Sequence, residues 1–279
     1  MTTLEASRQA YGDEFADVMG VRARYLDVGK GHPVVLLHGA GTGVSARANW
    51  WLNVPALAPS FRVVAPDLVG FGASLPDDPS SYPFGIENWV EYVIALLDAL
   101  DIEQADFVGN SLGGWVALSL AIRHPDRVRR MITMGTGGVP GSALPLMKEH
   151  TSSVDRTREG MRQNLVDFVV DPSIVSDELI DLRLAEGSSD AAVASRLGTT
   201  AARARDRVEL PLSDEALGGV KCPVLAAHGR EDALISYRAS VAVATMVPNA
   251  DMHLFSHCGH WAQIERADDF NKQALAFLT

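Results

Sequence analysis

A serine between glycines, placed between a predicted strand and a predicted helix, is the feature that most constrains this chain. The segment Gly109-Asn110-Ser111-Leu112-Gly113 follows an apolar run and precedes a helical pattern over residues 112–123. A sharp turn at the serine needs small neighbours on both sides, and it lifts the hydroxyl above the sheet edge. The start of the helix leaves the Leu112 N–H free for an oxyanion. The alternative is an ordinary Ser-Gly turn in a βα unit, and the pentapeptide alone does not exclude it.

Alternating strand and helix patterns predict an α/β fold with a mainly parallel sheet and helices on both faces. Continuous apolar runs such as Pro33–Leu37 are typical of strands buried on both faces. Strands are predicted at 15–19, 21–28, 33–37, 61–65, 105–108, 128–134, 223–227 and 252–255, and helices at 86–100, 112–123 and 261–278. Residues 139–212 contain helical patterns and charged loops only. We therefore expect a core of residues 1–138 and 213–279, with a helical cap (residues 139–212) inserted after the sixth strand.

Charge and cysteine usage narrow the class of function. The net charge is −11 without a long basic run, which argues against nucleic acids and anionic membranes as partners. The two cysteines, Cys222 and Cys258, match neither metal-site spacing nor a disulfide framework. Neither a dinucleotide fingerprint nor a Walker-type phosphate loop occurs in its required context. We expect a small-molecule substrate, no cofactor and no metal. A polar N-terminus and the lack of a membrane span favour a cytoplasmic protein.

A serine becomes a nucleophile only when a base takes its proton and a third group orients that base. Two segments that follow predicted strands after the cap supply such groups, at the sheet edge where Ser111 also lies. Asp232 is the predicted orienting acid, with Glu231 as the alternative, and His260 is the predicted base rather than His257. The remaining histidines are predicted to be surface or turn residues (His32, His124, His150, His228 and His253). His38 is the exception, because it opens a glycine loop.

Arg183 is a further candidate. If residues 177–184 form a helix, Arg183 lies one turn beyond Leu179 and Ile180 and faces with them. An arginine among apolar neighbours needs an anion, and its planar guanidinium matches a carboxylate bidentately. On the residues alone, a structural ion pair with an acid such as Asp177 or Glu186, or a surface arginine whose charged end reaches solvent, is favoured over a ligand-binding role.

Four segments together resemble the meta-cleavage product hydrolases of the α/β-hydrolase superfamily. These enzymes hydrolyse carbon–carbon bonds in ring-fission products of aromatic degradation. The segments are His38–Gly43 running on to Ala48–Trp50, Gly109–Gly114, Asp177–Ile180 with Arg183, and Cys258–Gln263. The similarity runs from about residue 15 to the C-terminus and is weakest at 140–160 and 187–220. The resemblance implies the α/β-hydrolase fold, no cofactor, and an assembly of two or more identical subunits.

The resemblance also implies roles for particular residues. Ser111 would be the nucleophile, His260 the base and Asp232 its orienter. The backbone amides of Leu112 and Ala40 would form the oxyanion hole. Residues at family positions that line the substrate site are Asn49, Asn110, Phe168, Arg183 and Trp261. Thr42 stands where the family often has proline, which leaves open whether Ala40 or Gly41 donates to the oxyanion.

For several of these residues the sequence also supports a purely structural role. Asn49 and Asn110 are residue types that form turns and cap backbone groups. Phe168 and Trp261 are both candidates for the core, Phe168 more so than Trp261. For Arg183 the resemblance reverses the preference and favours a ligand carboxylate over a structural ion pair.

The leading hypothesis is a hydrolase of a 6-substituted 2-hydroxy-6-oxo-hexa-2,4-dienoate, which yields 2-hydroxypenta-2,4-dienoate and a carboxylic acid. A carboxylesterase or lactonase on the same fold is the alternative, because Ser-His-Asp catalysis does not itself select the bond that is broken. A ligand receptor built on a hydrolase scaffold is a third hypothesis, against which the complete triad speaks. A haloalkane dehalogenase is disfavoured, because it would need aspartate at position 111.

Overall fold

Strands and helices alternate along the chain, of which the computed structural model describes residues 4–147 and 157–279. The first elements are α1 (Leu4–Ala10), β1 (Glu14–Val18), β2 (Val21–Val28), β3 (Pro33–Leu37), α2 (Ala46–Trp50), α3 (Val54–Leu57), β4 (Arg62–Pro66), α4 (Ile86–Ala99), β5 (Ala105–Asn110), α5 (Leu112–Arg123) and β6 (Val128–Met134). Then follow α6 (Arg158–Val166), α7 (Asp177–Gly187), α8 (Asp190–Glu209), α9 (Asp214–Gly218), β7 (Val224–Gly229), α10 (Arg238–Met246), β8 (Ala250–Phe255), α11 (Ala262–Glu265) and α12 (Ala267–Leu278). Short 3-10 turns lie at Pro125–Arg127 and Pro172–Ile174.

The strands form one 8-stranded sheet in the order β1-β2-β4-β3-β5-β6-β7-β8. β1 and β2 form an antiparallel hairpin in which Val18 pairs with Val21, and β2 is antiparallel to β4. From β4 to β8 all neighbouring strands are parallel, so the predicted mainly parallel sheet is confirmed. The carboxyl ends of β3, β5, β6 and β7 therefore meet at one edge, where sites of open α/β sheets form.

Both faces of the sheet are covered by helices, which explains the continuous apolar strands. In β3, Val34 and Leu36 belong to a buried cluster with side chains of α2, α3 and α12. Val35 and Leu37, which alternate with them, belong to a second cluster with α4 and α5. Successive strand residues point to opposite faces, so a strand between two helical layers is apolar at every position.

The regular elements described between β6 and β7 are helices, joined by loops. Its helices α6, α7 and α8 each begin after a hydroxyl residue that accepts a hydrogen bond from a backbone N–H three residues on: Thr157, Ser176 and Ser189. Leu179 and Ile180 of α7 pack with Trp261 in a buried cluster between this segment and the core. We keep the name cap for residues 139–212; its boundaries stay a prediction, and His150 lies outside the described residues.

The C-terminal segment differs from the single helix predicted over 261–278. The structure has two helices, α11 and α12, which meet at Arg266 with φ −123°. In a continuous helix the Gln263 carbonyl would accept from the Ala267 N–H. It accepts instead from Asn53 Nδ2 at 3.0 Å. A side-chain contact with another element thus ends the helix one turn after it begins. Among the described residues, no helix has the length and apolar character that crossing a membrane requires.

Candidate active site

Ser111 occupies the sharp turn between β5 and α5. Its φ of 54° and ψ of −109° lie in a region that residues other than glycine rarely adopt. A Cβ added to Gly109 would lie 2.4 Å from the Gly113 carbonyl oxygen, and one added to Gly113 would lie 2.1 Å from the Leu37 carbonyl oxygen. The Ser111 N–H donates to the Met134 carbonyl at 2.8 Å and holds the turn against β6. The two glycines are therefore required by direct backbone contact.

Asp232 and His260 form a buried, hydrogen-bonded pair. His260 Nδ1 lies 2.6 Å from Asp232 Oδ2, and the side chains are 1% exposed. Asp232 Oδ1 accepts from the Leu234 and Ile235 amides at 2.8 and 2.9 Å. Burial by itself raises the pKa of the Asp232 carboxyl, but the charge of His260 and hydrogen bonds from both neighbouring histidines outweigh it and hold the pKa well below its usual range. Because a carboxylate only accepts, His260 Nδ1 carries a proton and Nε2 is left for the serine.

His228 is a second histidine at the same carboxylate, and its prediction as a surface or turn residue was wrong. It is fully buried, with Nε2 3.1 Å from Asp232 Oδ2 and 3.0 Å from the Ile235 carbonyl. Its Nδ1 lies 2.8 Å from Ser240 Oγ. Since both neighbours of Nε2 are acceptors, Nε2 must donate. The sequence signal was its place at the buried end of a strand, four residues before Asp232.

The alternatives to Asp232 and His260 lie elsewhere in the loops. Glu231 Oε2 accepts from the Cys258 amide at 3.1 Å, and Oε1 lies 2.9 Å from Arg230 Nε. Glu231 thus ties two loops together, whereas it is Asp232 that contacts His260. His257 is exposed with φ 50°.

Ser111 and His260 line one cavity beneath the cap, with an empty volume of about 720 Å³ including open solvent. Ala40, Gly41 and Thr42 of the glycine loop line it too. Its other lining residues are Phe71, Met147, Met161, Asn164, Leu165, Phe168, Arg183, Arg196, Thr200, Arg203 and Leu234. The cavity is therefore largely apolar, with three arginines and no carboxylate among these lining residues.

The glycine loop brings backbone amides to the cavity. Among the described residues, no acceptor is bonded to the N–H groups of Ala40, Gly41 or Leu112. His38 fixes the start of the loop: its Nδ1 donates to the Gly39 carbonyl at 2.7 Å, and its Nε2 accepts from the Leu68 amide at 2.9 Å. Burial lowers the pKa of His38 to about 4, so it is neutral at pH 7. Backbone amides without an acceptor near Ser111 suit an oxyanion; donation by Leu112 and the choice between Ala40 and Gly41 stay predictions.

Arg183 is 2% exposed and points into this cavity. Its Nη1 donates to the Thr42 carbonyl at 3.3 Å, and its guanidinium carbon lies 5.1 Å from the Trp261 ring centroid. Nε and Nη2 have no hydrogen-bond partner within the described part of the chain. Burial lowers the pKa of Arg183 to about 10, still far above neutrality. A charged guanidinium thus presents two unpaired donors.

The acids expected to neutralise Arg183 pair with other arginines. Asp177 contacts Arg162, and Glu186 Oε1 lies 2.7 Å from Arg24 Nη2. The structural ion pair favoured on the residues alone is therefore not formed.

The structure reverses the prediction for the two aromatic residues, of which Phe168 was the stronger candidate for the core. Phe168 lines the cavity, and its ring centroid lies 5.7 Å from that of His260. Trp261 is 1% exposed and stacks on Phe168 with centroids 4.5 Å apart. Trp261 is thus the core residue of the two, and it supports Phe168 and Arg183 from behind.

Asn49 and Asn110 are each 1% exposed and stand outside the lining of the cavity. Asn110 Nδ2 donates to the Met134 carbonyl at 3.4 Å. Asn110 Oδ1 and both amide atoms of Asn49 have no hydrogen-bond partner within residues 4–147 and 157–279. Their contact with a substrate stays a prediction.

Two further arginines of the cavity, Arg196 and Arg203 of α8, were not singled out from the sequence. Their spacing of seven residues, with Thr200 between them, is the signal that places them on one helix face. In the ranges that the structure describes, no group of three or more histidine, cysteine or acidic residues could hold a metal ion.

Comparison with known proteins finds similarity over nearly the whole chain. The family model described as alpha/beta hydrolase fold matches residues 32–267. A 2-hydroxymuconate semialdehyde hydrolase of Pseudomonas sp. (strain CF600) is 40% identical over 265 residues, which cover 93% of this chain and 91% of that protein. A 2-hydroxy-6-oxo-2,4-heptadienoate hydrolase of Pseudomonas putida is 38% identical and covers 93% of each chain. The solved structure of a meta-cleavage product hydrolase of Pseudomonas fluorescens IP01, a serine-to-alanine mutant complexed with acetates, superposes with a TM-score of 0.88 at 37% identity, covering 97% of this chain and 98% of that one.

Proposed function

The chain belongs to the α/β-hydrolase fold family and, within it, to the meta-cleavage product hydrolases, and from this premise we propose the reaction that it catalyses. The substrate is a 2-hydroxy-6-oxo-hexa-2,4-dienoate that carries a substituent at C6. Water is added across the C5–C6 bond, and the products are 2-hydroxypenta-2,4-dienoate and a carboxylic acid. The enzyme is a serine-dependent C–C bond hydrolase.

The reaction needs an electron sink before the bond can break. The dienol first ketonises as a proton moves to C5, which gives a 2,6-dioxo form with a double bond between C3 and C4. Attack at the C6 carbonyl, by Ser111 or by a water that Ser111 helps to activate, places negative charge on the C6 oxygen. Collapse of this adduct breaks the C5–C6 bond, and its electron pair passes through the C3–C4 double bond to the C2 oxygen. Protonation of that oxygen gives the dienol product. On the serine route a water then hydrolyses the acyl-Ser111 ester, which releases the carboxylic acid and restores the hydroxyl; on the water route the acid forms directly.

The proposed roles follow from the positions of the side chains. His260 takes the proton of the Ser111 hydroxyl through Nε2, while Asp232 holds Nδ1 at 2.6 Å and stabilises the imidazolium. The amides of Leu112 and Ala40 donate to the oxyanion on C6, and each such donor contributes about 3 kcal/mol in comparable enzymes.

Arg183 is the observation that carries the proposal. A fully charged guanidinium is buried in the same cavity as Ser111 and His260, and its Nε and Nη2 lack partners among the described residues. These two nitrogens form the edge of the guanidinium that binds a carboxylate bidentately. A dienoate places its C1 carboxylate at the opposite end of the carbon skeleton from the scissile bond. A simple ester has no group that would compensate this buried charge.

We also propose a cytoplasmic location and an assembly of two or more identical subunits. Cys222 and Cys258 are free and buried, which is compatible with a reducing compartment. The assembly rests on the family resemblance, and light scattering coupled to size-exclusion chromatography measures it directly.

The experiment is to mix the purified protein with the yellow ring-fission products of 3-methylcatechol and of 2,3-dihydroxybiphenyl and to follow bleaching of the dienolate band. A simple aryl ester and the Ser111→Ala variant are run in parallel. We expect fast bleaching that Ser111→Ala abolishes. Ready turnover of the ester without bleaching would instead establish an esterase, and ligand binding without any turnover would favour a receptor.

A further inference from the structure

Helix α8 presents a cationic face to the catalytic cavity. Arg196, Thr200 and Arg203 follow one another at intervals of four and three residues, so their side chains lie on one face of the helix. All three line the cavity that Ser111 and His260 line. A helix that covers a largely apolar cavity is expected to present apolar side chains there, and α8 presents two guanidinium groups.

No carboxylate of the described residues neutralises either guanidinium. Arg196 Nη1 donates to Thr42 Oγ1 at 2.9 Å, and its Nε is buried without a hydrogen-bond partner among the described residues. Arg203 bonds only within its own helix, from Nε to the Thr199 carbonyl at 3.2 Å and from Nη2 to Thr200 Oγ1 at 3.1 Å. Within residues 4–147 and 157–279, no carboxylate lies within ion-pair distance of either one.

The missing acids are unexpected in this chain. It has 35 acidic and 24 basic residues, so carboxylates outnumber the groups that they could neutralise. Arg205, two residues beyond Arg203, contacts Asp206 at 2.7 Å, and Arg162 of α6 contacts Asp177. Among the described residues, Arg158, Arg162 and Arg205 of the cap thus have acidic partners outside the cavity, and the arginines that line the cavity do not.

The arrangement is unfavourable without a ligand. Burial and, to a smaller extent, the nearby positive charges of Arg207 and Arg196 together lower the pKa of Arg203 to about 10. Desolvation and repulsion between like charges therefore both act on this helix face. A bound anion would relieve both, whereas an uncharged ligand would relieve neither.

The C1 carboxylate of a dienoate does not account for this face. One carboxylate is satisfied by the two unpaired nitrogens of Arg183, which stands on α7. The remaining variable part of the substrate is the substituent at C6.

We propose that Arg203 and Arg196 form a second anion-binding subsite, which takes a carboxylate at the end of the C6 substituent. The inference rests on the proposed function and narrows it: the preferred substrate is a dicarboxylate. Arg203 is the principal residue of the subsite, because Arg196 also holds the glycine loop through Thr42.

The test compares two substrates that differ only at C9. In 2-hydroxy-6-oxonona-2,4-dienoate the substituent ends in a methyl group, and in 2-hydroxy-6-oxonona-2,4-diene-1,9-dioate it ends in a carboxylate. The quantity measured is the ratio of kcat/KM for the dioate to kcat/KM for the monocarboxylate. We expect a ratio of at least about ten for the wild type, the size of a charge-assisted hydrogen bond.

Variants then assign the preference to the subsite. Arg203→Gln should lower the ratio about tenfold, and Arg203→Lys, which keeps the charge without the planar fork, should retain part of it. Arg158→Gln is the matched control, because it removes an exposed cap arginine that pairs with Asp177 outside the cavity. A ratio measured within one preparation does not depend on the fraction of folded protein.

The outcomes separate the two proposals. Cleavage of the monocarboxylate with a ratio near or below one overturns the subsite and leaves the proposed function intact. A high ratio that Arg203→Gln does not lower also overturns it. If these two substrates and the ring-fission products of 3-methylcatechol and 2,3-dihydroxybiphenyl all fail to bleach, both the proposed function and the subsite are contradicted.

Discussion

His228 and Asp232 lie in direct contact, with His228 Nε2 3.1 Å from the same Oδ2 oxygen that accepts from His260. The contact is fully buried, and His228 is fixed in turn by Ser240 Oγ at 2.8 Å from its Nδ1. A carboxylate that accepts from two rings and two backbone amides has a single orientation. His228 is therefore a positioning residue for the proposed triad.

Replacing His228 tests this role. His228→Leu should lower kcat about tenfold and leave KM nearly unchanged, because a buried hydrogen bond to a charged group is lost while the substrate cavity is kept. His228→Gln, whose amide can still donate, should recover most of the loss. Steady-state kinetics on a ring-fission product measure both parameters. A fall in folded fraction without a change of kcat per folded enzyme would contradict the assignment.

Arg183→Gln should lower kcat/KM for a dienoate about 100-fold, because the C1 carboxylate then enters the cavity without its bidentate partner. The same variant should change turnover of an uncharged aryl ester by less than about twofold. Both assays are run on one preparation, so that the ester reports the integrity of Ser111 and His260. Equal losses on both substrates would mean that Arg183 supports the cavity and does not bind the carboxylate.

Local features of the chain predicted the sheet and the serine turn. The buried strands were recognised because a strand between two helical layers is apolar at every position, as in β3. The turn at Ser111 was recognised because its backbone geometry excludes side chains at Gly109 and Gly113, and such exclusion is visible in the sequence as glycine. Asp232 and His260 were found because both follow strands that end at one edge of the sheet.

The remaining features depend on contacts between distant segments. Whether Phe168 or Trp261 faces the cavity is decided by how the cap lies on the core, which periodicity within one segment does not encode. The end of α11 depends on Asn53, which is 210 residues away from Gln263. His228 was misassigned because a histidine at a strand end is most often exposed, and its burial follows from the packing of α10 through Ser240.

Gly113→Ala should prevent stable folding or lower the free energy of unfolding by about 3 kcal/mol or more, because the added Cβ meets the Leu37 carbonyl oxygen at 2.1 Å and backbone atoms on both sides cannot yield. Gly218→Ala is the matched control, because its Cβ has 3.9 Å to the nearest atom and should be tolerated. Urea denaturation measures both. Equal stabilities would show that the elbow can widen.

His38 gives the fold a pH dependence of known sign. Its folded pKa of about 4 is below the ordinary value of about 6.5 because burial disfavours the charged ring. The neutral form is therefore favoured by folding, and this contribution is complete above pH 6.5 and is lost as the pH falls towards 4. By pH 5 the loss is about 2 kcal/mol, at a pH where most carboxylates are still ionised.

His38→Gln should flatten this dependence. Glutamine does not titrate, so the free energy of unfolding of the variant should fall between pH 6.5 and pH 5 by about 2 kcal/mol less than that of the wild type, even though the variant is less stable at pH 7. Urea denaturation at several pH values in this window measures the two slopes. His124→Gln, at a half-buried surface position, reports how far the loss of any histidine changes the slope. If His38→Gln and wild type lose stability in parallel, then His38 accepts its proton without disturbing the glycine loop, and its two hydrogen bonds do not hold the loop at the cavity.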